Sequence, residues 1–500
     1  MSRLPRMVVA SLLLAACEAD VTPLDVSGPP AQATVAAGNG QTGAVGEVLP
    51  EPLVVQVTDE AGRPVPAIEV TWLVKAGTLN VVGDSTDDAG RAAAFWLLPD
   101  TPGVDTVAAV VEGAGTVLFG ATVQPIPGTI VFRYLDAGSY HACGITTTEQ
   151  FLCWGYNGDG QLGIGTTDPR LFPNLVPGDL RHRLVSGGQF HACGLTLAQV
   201  AYCWGNNQDM RLGSEGGPGD FSPTPVAVGT DKTFQSIQAG RVHSCAVDLS
   251  QSILCWGSNW EGQVGLPPSG PLGPAVVPAV PSMKSVALGG LHTCGIGVGG
   301  SGFCWGYNAL GQLGRGATSF SETPGEIAGG VTFQRDPIVI FPSPDPDFPL
   351  PIGPFLAAGH DHTCAINAAG TTLCWGLNQD GQLGDGTRTQ RASPTGLSSA
   401  FVALTAGVRH TCGLSAAGAA FCWGDNTFGQ LGDGTTTDRL TPTAVAGSLA
   451  FAYLKAGDLF TCGITSTGVA YCWGDNGYGQ LGDGSTTPRS LPVKVAFQPN

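Results

Sequence analysis

Short apolar runs, four to eight residues long and cut by Gly, Pro, Asn and Asp, fill the C-terminal three quarters of the chain. In one representative stretch, "AFVALTAG" (400–407), "HTCGL" (410–414), "AAFCW" (419–423) and "TPTAVA" (441–446) read as four short strands separated by turn residues. The stretch is one copy of seven. Cys-Trp-Gly recurs at Cys153, Cys203, Cys255, Cys304, Cys374, Cys422 and Cys472, in steps of 50, 52, 49, 70, 48 and 50 residues. A period near fifty marks a repeat architecture, and four strands per repeat suggest one blade of a β-propeller. The long step holds an insertion, residues 335–354, whose prolines exclude a helix and suit an extended rim loop.

A lone blade exposes both faces of its sheet and buries them only against neighbours. Trp154, Trp204, Trp256, Trp305, Trp375, Trp423 and Trp473 are the expected fillers of those interfaces. Between the third and fourth strands, "GDNTFGQLGDGTTTDR" (424–439) places Asn426, Gly429, Gly432 and Gly434 for tight turns, with Leu431 tucked beneath. Its Asp-Gly-Thr is a turn signal, with a calcium site as the alternative; the ligand spacing of an EF-hand is absent. The second and third copies depart from this phrase at "DMRLGSEGGPGD" (209–220) and "GQVGLPPSGPLGP" (262–274), through a binding rim or through drift. The first copy starts at "TIVFRYLDAG" (129–138) without a preceding proline-containing strand, so the tail "LPVKVAF" (491–497) is expected to supply one and close the ring.

Residues 20–127 follow another pattern. "PLVVQVTDEAGRPVPAIEVTWLV" (52–74) and "TDDAGRAAAFWLLPDTPGVDTVAAVV" (86–111) alternate apolar and polar residues between turns, as an antiparallel sandwich does, with Trp72 and Trp96 in its core. The expected fold is therefore all-β: a β-sandwich, then a seven-bladed propeller over 128–500.

The cysteines bear on compartment. Each Cys-Trp-Gly has a partner ten residues upstream, at Cys143, Cys193, Cys245, Cys294, Cys364, Cys412 and Cys462. In "CGLSAAGAAFC" (412–422) two strands pair around a loop centred on Ala417, which sets Cys412 opposite Cys422. Opposed residues at a non-hydrogen-bonded site have Cα atoms near 4.5 Å, within disulfide range, so seven cross-strand disulfides are expected, each stabilising by about 2 to 3 kcal/mol at best. The last loop position suits a left-handed residue, and Gly300, Gly370, Gly418 and Gly468 stand there. Glu149, Gln199 and Gln251 hold it in the other copies, leaving those loops open. Zinc sites want cysteines two to four residues apart, a spacing never seen.

Fifteen cysteines leave one over. Residues 1–17, "MSRLPRMVVASLLLAAC", have a basic start and an apolar run too short to span a bilayer, which reads as an export signal. Its ending resembles the lipobox of bacterial lipoproteins, which implies Cys17 as the lipidated first residue and a place in the cell envelope, at the outer membrane or cell surface. The formal charge of −17 excludes phosphate backbones and anionic lipid surfaces as partners.

"AGVRHTCGLSAAGAAFCWGDNTFGQLGDGTTTDR" (406–439) and its copies resemble the repeat of the regulator of chromosome condensation family. The shared elements are Ala-Gly or Gly-Gly before His-x-Cys, then Trp-Gly-x-Asn, then Gly-Gln-Leu-Gly. The resemblance spans about 129–500 and implies a seven-bladed propeller. The founding eukaryotic member is a chromatin-bound guanine nucleotide exchange factor, an activity for which no residues match here; exported propellers of the β-lactamase-inhibitory kind bind proteins through one face. The segment 20–127 resembles the invasin and intimin immunoglobulin-like domains, which implies a stalk. The expected function is a monomeric, non-enzymatic protein-binding scaffold without cofactor or metal, with guanine nucleotide exchange or another regulatory or enzymatic activity inherited from the family as the alternative.

Six copies place a histidine two residues before the first cysteine: His141, His191, His243, His292, His362 and His410, with Phe460 in the seventh. A ring of imidazoles can bind metal or act as base, but a phenyl ring in the same slot points to packing. No nucleophile, carboxylate pair or phosphate loop has the surrounding context of catalysis. Candidate partner-binding residues are Trp260, Leu310, Phe428 and Tyr478, which follow Trp-Gly-x-Asn at nonrepeating positions.

Overall fold

The computed structural model describes residues 27–99, 103–124, 130–178, 180–214, 219–333 and 355–498. The signal segment with Cys17 and the 335–354 insertion lie outside them. Two compact units are present; the first draws on residues up to 122 and the second holds all seven repeats.

The first unit has two four-stranded antiparallel sheets. Leu53–Thr58 alternates buried and half-buried positions, and Gly103–Val111 and Gly115–Gln124 alternate in the same way. One face of each strand is thus apolar and inward, as the sequence pattern required. Trp96 is fully buried and donates to the Ala76 carbonyl at 3.2 Å. Trp72 is only half-buried, its ring 5.7 Å from that of Phe119, so it flanks the core rather than filling it.

The second unit contains seven four-stranded antiparallel sheets, one per repeat. In the sixth repeat the strands are Ala403–Ala406, His410–Leu414, Ala420–Gly424 and Arg439–Ala444. The two middle strands are almost wholly buried, and the proline-bearing fourth is a half-exposed edge, where a missing N–H is tolerated.

The seven cysteine pairs sit in register across the middle strands, as with Cys412 opposite Cys422. Their Cα atoms are 4.0 to 4.1 Å apart and their sulfurs 2.04 to 2.14 Å apart, which is disulfide distance. The hairpin loops all take one shape. Gly300, Gly370, Gly418 and Gly468 have φ of +80° to +88°, and Glu149, Gln199 and Gln251 adopt +64° to +67° at the same position. Three repeats therefore accept a left-handed side-chain residue at some cost in strain to keep the cysteine register.

The tail does not join the first sheet. Arg489–Lys494 pairs with Ala470–Gly474 of its own repeat, and the first sheet draws its fourth strand from Arg170–Leu175. The proline strand ends each repeat instead of beginning it, so every sheet is complete without exchange. The two ends of the repeat array meet through backbone bonds: Ile130 N–H donates to Phe497 O at 3.1 Å and Phe132 N–H to Gly468 O at 2.8 Å.

Each Cys-Trp-Gly tryptophan is fully buried and locks onto the preceding repeat. Trp423 Nε1 donates to Gln382 O at 3.0 Å and Trp473 Nε1 to Gln430 O at 3.0 Å, both acceptors lying in the Gly-Gln-Leu-Gly turn. The irregular copies obey the same rule, with Trp256 on Arg211 O and Trp305 on Gln263 O. Trp154 of the first repeat donates to Gln480 O of the seventh at 3.0 Å. The final glycine of the turn is required by this contact: a Cβ on Gly432, at φ +68°, would lie 2.7 Å from the Trp473 indole nitrogen.

Candidate functional site

The imidazoles are structural. His191, His243, His292, His362 and His410 are buried, and each Nε2 lies 2.8 to 3.0 Å from a hydroxyl of the next repeat: Ser244, Thr293, Thr363, Thr411 and Thr461. Those hydroxyls donate in turn to the carbonyls of Arg211, Gln263, Gln312, Gln382 and Gln430. With its proton committed, a hydroxyl can only accept from the imidazole, so Nε2 carries the hydrogen. Burial lowers His410 to about 4 and His362 to about 3, which keeps these rings neutral. His141 is the exception. Ala192 stands where a hydroxyl is needed, and both ring nitrogens of His141 lack a partner. Phe460 fills the histidine slot of the seventh repeat, and the residue at the hydroxyl position of the first repeat is the other alanine of this series, Ala142, so no polar partner is needed.

The Asp-Gly-Thr turns hold their own carboxylates. Asp433 Oδ1 accepts from the Thr435 N–H and hydroxyl, and Oδ2 accepts from Arg439 Nε at 2.8 Å. Asp385 and Asp483 repeat this with Arg391 and Arg489. In each of these turns an arginine meets the second carboxylate oxygen. No group of three His, Cys, Asp or Glu side chains among the described residues is arranged to hold a metal.

The loops on one face of the repeats carry side chains that differ from copy to copy. Two positions frame it: the residue before the histidine, and the residue between Trp-Gly and Asn. They are joined by a backbone bond, such as Tyr156 N–H to Tyr140 O at 2.9 Å. In repeats 7, 1 and 2 these loops assemble four aromatic rings. The Tyr478 ring lies 4.9 Å from Tyr156 and 5.6 Å from Tyr140, and Phe190 stacks on Tyr140 at 6.1 Å. Tyr140, Tyr156 and Phe190 are half-buried, while Tyr478 is 45% exposed.

Carboxylates border the rings. Burial and then Asp458 push the Tyr140 phenol up, and burial and then Asp159 push up Tyr156. Beside them opens a cavity of about 320 Å³, walled by the first strands of all seven repeats. Its lining includes Gln189, Arg241, His360 and Asp458 at the glycine turns. Arg241 contacts His360 and donates to Gln189 Oε1 at 3.1 Å; His360 Nδ1 pairs with Asp361 at 2.6 Å. Deeper in the wall, Lys455 meets the buried Asp136 at 3.1 Å, linking the seventh repeat to the first. Burial pushes the Asp136 carboxyl up, against the opposing pull of Lys455.

Of the four residues expected from sequence to bind a partner, Tyr478 alone joins another aromatic ring among the described residues. Phe428 is 37% exposed, Leu310 is half-buried, and both occupy the position of Tyr478 in their own repeats. Their N–H groups donate to Gln430 and Gln312 as that of Tyr478 donates to Gln480. Trp260, 61% exposed, is one residue out of register, because Glu261 makes that bond in the third repeat. The four lie on separate repeats. Tyr140, Tyr156 and Phe190 were missed; the available signal was an aromatic at a position occupied by Asp361, Arg409 or Asp425 in other copies.

Profiles of the regulator of chromosome condensation (RCC1) repeat match residues 149–195, 200–247, 369–414, 417–464 and 467–500, and in a second form 132–161, 355–382, 401–430 and 452–480. The chain belongs to the regulator of chromosome condensation repeat family. Its repeats are similar in fold to human WBSCR16, at 20% identity over 69% of this chain and 94% of that one, with a TM-score of 0.60. They are also similar to Prp20p from Saccharomyces cerevisiae, a protein studied for its binding to Gsp1p and histones, at 18% identity over 73% of this chain and 87% of that one, with a TM-score of 0.58. Membership in the RCC1 repeat family accounts for the β-propeller fold and for the motif phrases, and assigns no activity to the face described above.

Proposed function

We propose that this chain is an exported, lipid-anchored surface protein whose seven sheets close into a propeller ring and bind a protein partner through the face bearing Tyr140, Tyr156, Phe190 and Tyr478. The observation that carries the binding reading is this four-ring cluster, partly open to solvent. Rings fixed against one another lose little entropy on binding and offer a large contact area, which suits them as interface anchors. Ring closure is supported by the bonds from Trp154 to Gln480 and from Ile130 to Phe497.

Export is supported by the signal-like first seventeen residues and by fourteen further cysteines lying in seven pairs at disulfide distance. Cys17 is then the lipid-bearing residue, and the first unit, with its two alternating sheets, acts as an immunoglobulin-like spacer of the invasin and intimin type. The role is binding rather than catalysis, since the imidazole ring is committed to packing and hydrogen bonds.

Photocrosslinking tests the binding face. A benzophenone amino acid replacing Tyr478 is expected to give a discrete envelope-protein adduct that the same group at Leu491, on an outer strand, does not give. Equal or absent adducts at the two positions refute this reading. Thiol labelling of the denatured, unreduced protein tests export: labelling beyond trace levels contradicts it.

A further inference from the structure

The two loops that build the aromatic cluster carry the same two kinds of side chain in opposite order. In the first repeat, Tyr156 follows Trp-Gly and Asp159 stands three residues on; in the seventh, Asp475 follows Trp-Gly and Tyr478 stands three residues on. Laid side by side, the loops bring Tyr156 and Tyr478 into ring contact at 4.9 Å, with one carboxylate contributed by each loop.

Both carboxylates are held in place by neutral donors. Asn206 Nδ2 donates to Asp159 Oδ1 at 2.8 Å, and Gln480 Nε2 donates to Asp475 Oδ2 at 2.7 Å. Neither has a Lys or Arg partner in the ion pairs among the described residues, whereas Asp380 at the position of Asp159 in the fifth repeat faces Arg409 at 3.4 Å. Arg211, whose charge Asp159 feels, is itself paired with Asp209 at 3.0 Å, and Arg241 on the cavity side is engaged by Gln189 and His360.

An aromatic face beside fixed carboxylates that form no direct ion pair attracts a positive group through both the ring quadrupole and the charge. The surrounding chain is acidic, at −17. We propose that this sector receives a lysine or arginine side chain from a basic segment of the protein partner, its cation seated over Tyr478 and its charge met by Asp475 and Asp159. This assignment rests on the protein-binding reading and specifies the partner's chemistry.

The probe is a fluorescently labelled synthetic peptide alternating glycine and lysine, with its fully acetylated form as control, titrated into the full chain by anisotropy. The lysine peptide is expected to bind about tenfold or more tightly than the acetylated one and to weaken as salt is raised. Tyr478→Ala is expected to lose about threefold or more, and the double variant Asp159→Asn with Asp475→Asn a comparable amount, both with unchanged melting temperature. Equal binding of the two peptides overturns the proposal. So does unchanged affinity in the double variant, which preserves shape and removes only charge. A specific crosslink at position 478 together with no preference for the lysine peptide overturns this inference and leaves the binding reading standing.

Discussion

Before its histidine the first repeat carries Tyr140 and the sixth carries Arg409; after Trp-Gly the first carries Tyr156 and the sixth Asp425. The backbone under these pairs is the same. Tyr156 N–H donates to Tyr140 O at 2.9 Å, and Asp425 N–H to Arg409 O at 2.9 Å. Below them, Trp154 and Trp423 each donate to the preceding turn at 3.0 Å. Above them the repeats part: rings cluster around Tyr140, while Arg409 reaches Asp380 at 3.4 Å. The frame positions are dictated by what touches them inside the molecule. The loop positions touch mainly one another, and on the proposed reading they are where a partner is distinguished.

Acid should strike the frame hardest. Burial holds His141, His292 and His410 at about 4 and His243 and His362 at about 3, against about 6.5 in the unfolded chain. Between those values the unfolded chain binds more protons, so stability present above pH 6.5 is lost as the pH falls toward 4, by up to about 1.4 kcal/mol per pH unit for each ring. Melting curves from pH 7.5 to 4.5 check this. His410→Phe with Thr461→Ala, which copies the Phe460–Ala142 pair, should flatten the slope by one ring's share; an unchanged slope means His410 is not buried neutral.

Single substitutions should separate frame from surface. Trp473→Ala empties a fully buried site and removes one of the two donors to the Gln430 carbonyl, at an expected cost of about 3 to 5 kcal/mol. Tyr478→Ala, five residues along the chain, should stay within about 0.5 kcal/mol. Urea unfolding of both variants measures the gap, and similar losses would erase the distinction. The smallest effect expected is a gain. Ala192→Thr supplies the hydroxyl missing opposite His141 and should stabilise by about 1 kcal/mol, read as a raised melting temperature; a drop would mean the site cannot admit the side chain.

Much of the frame was legible because it is local. A hairpin whose cysteines stand ten positions apart fixes its own register, and a loop glycine announces its own φ. The partners were not legible where they lie a full repeat away. Trp473 shows in the sequence as a large apolar residue, while its acceptor, the Gln430 carbonyl, is 43 residues upstream and is a backbone atom that no residue type marks. The tail strand was assigned to the first sheet because a strand midway between two copies fits the end of one or the start of the next equally well. That Trp260 stands one residue before the position of Tyr478 was not legible, because only the Gln263 side chain shows which N–H it caps. The chain did contain one long-range clue: Phe460 and Ala142 depart together from the His and Ser/Thr pattern, as partners in contact would.

Fold and binding face both depend on repeat 7 abutting repeat 1, since Tyr478 meets Tyr140 and Tyr156 only there. Hydrogen exchange of the seven Cys-Trp-Gly indoles, followed by NMR, tests that junction directly. Trp154, bonded to Gln480 O across the junction, should be as slow to exchange as Trp204 through Trp473. Rapid exchange at Trp154 with the other six protected would mean an open array, and neither the closed ring nor the aromatic face would survive it.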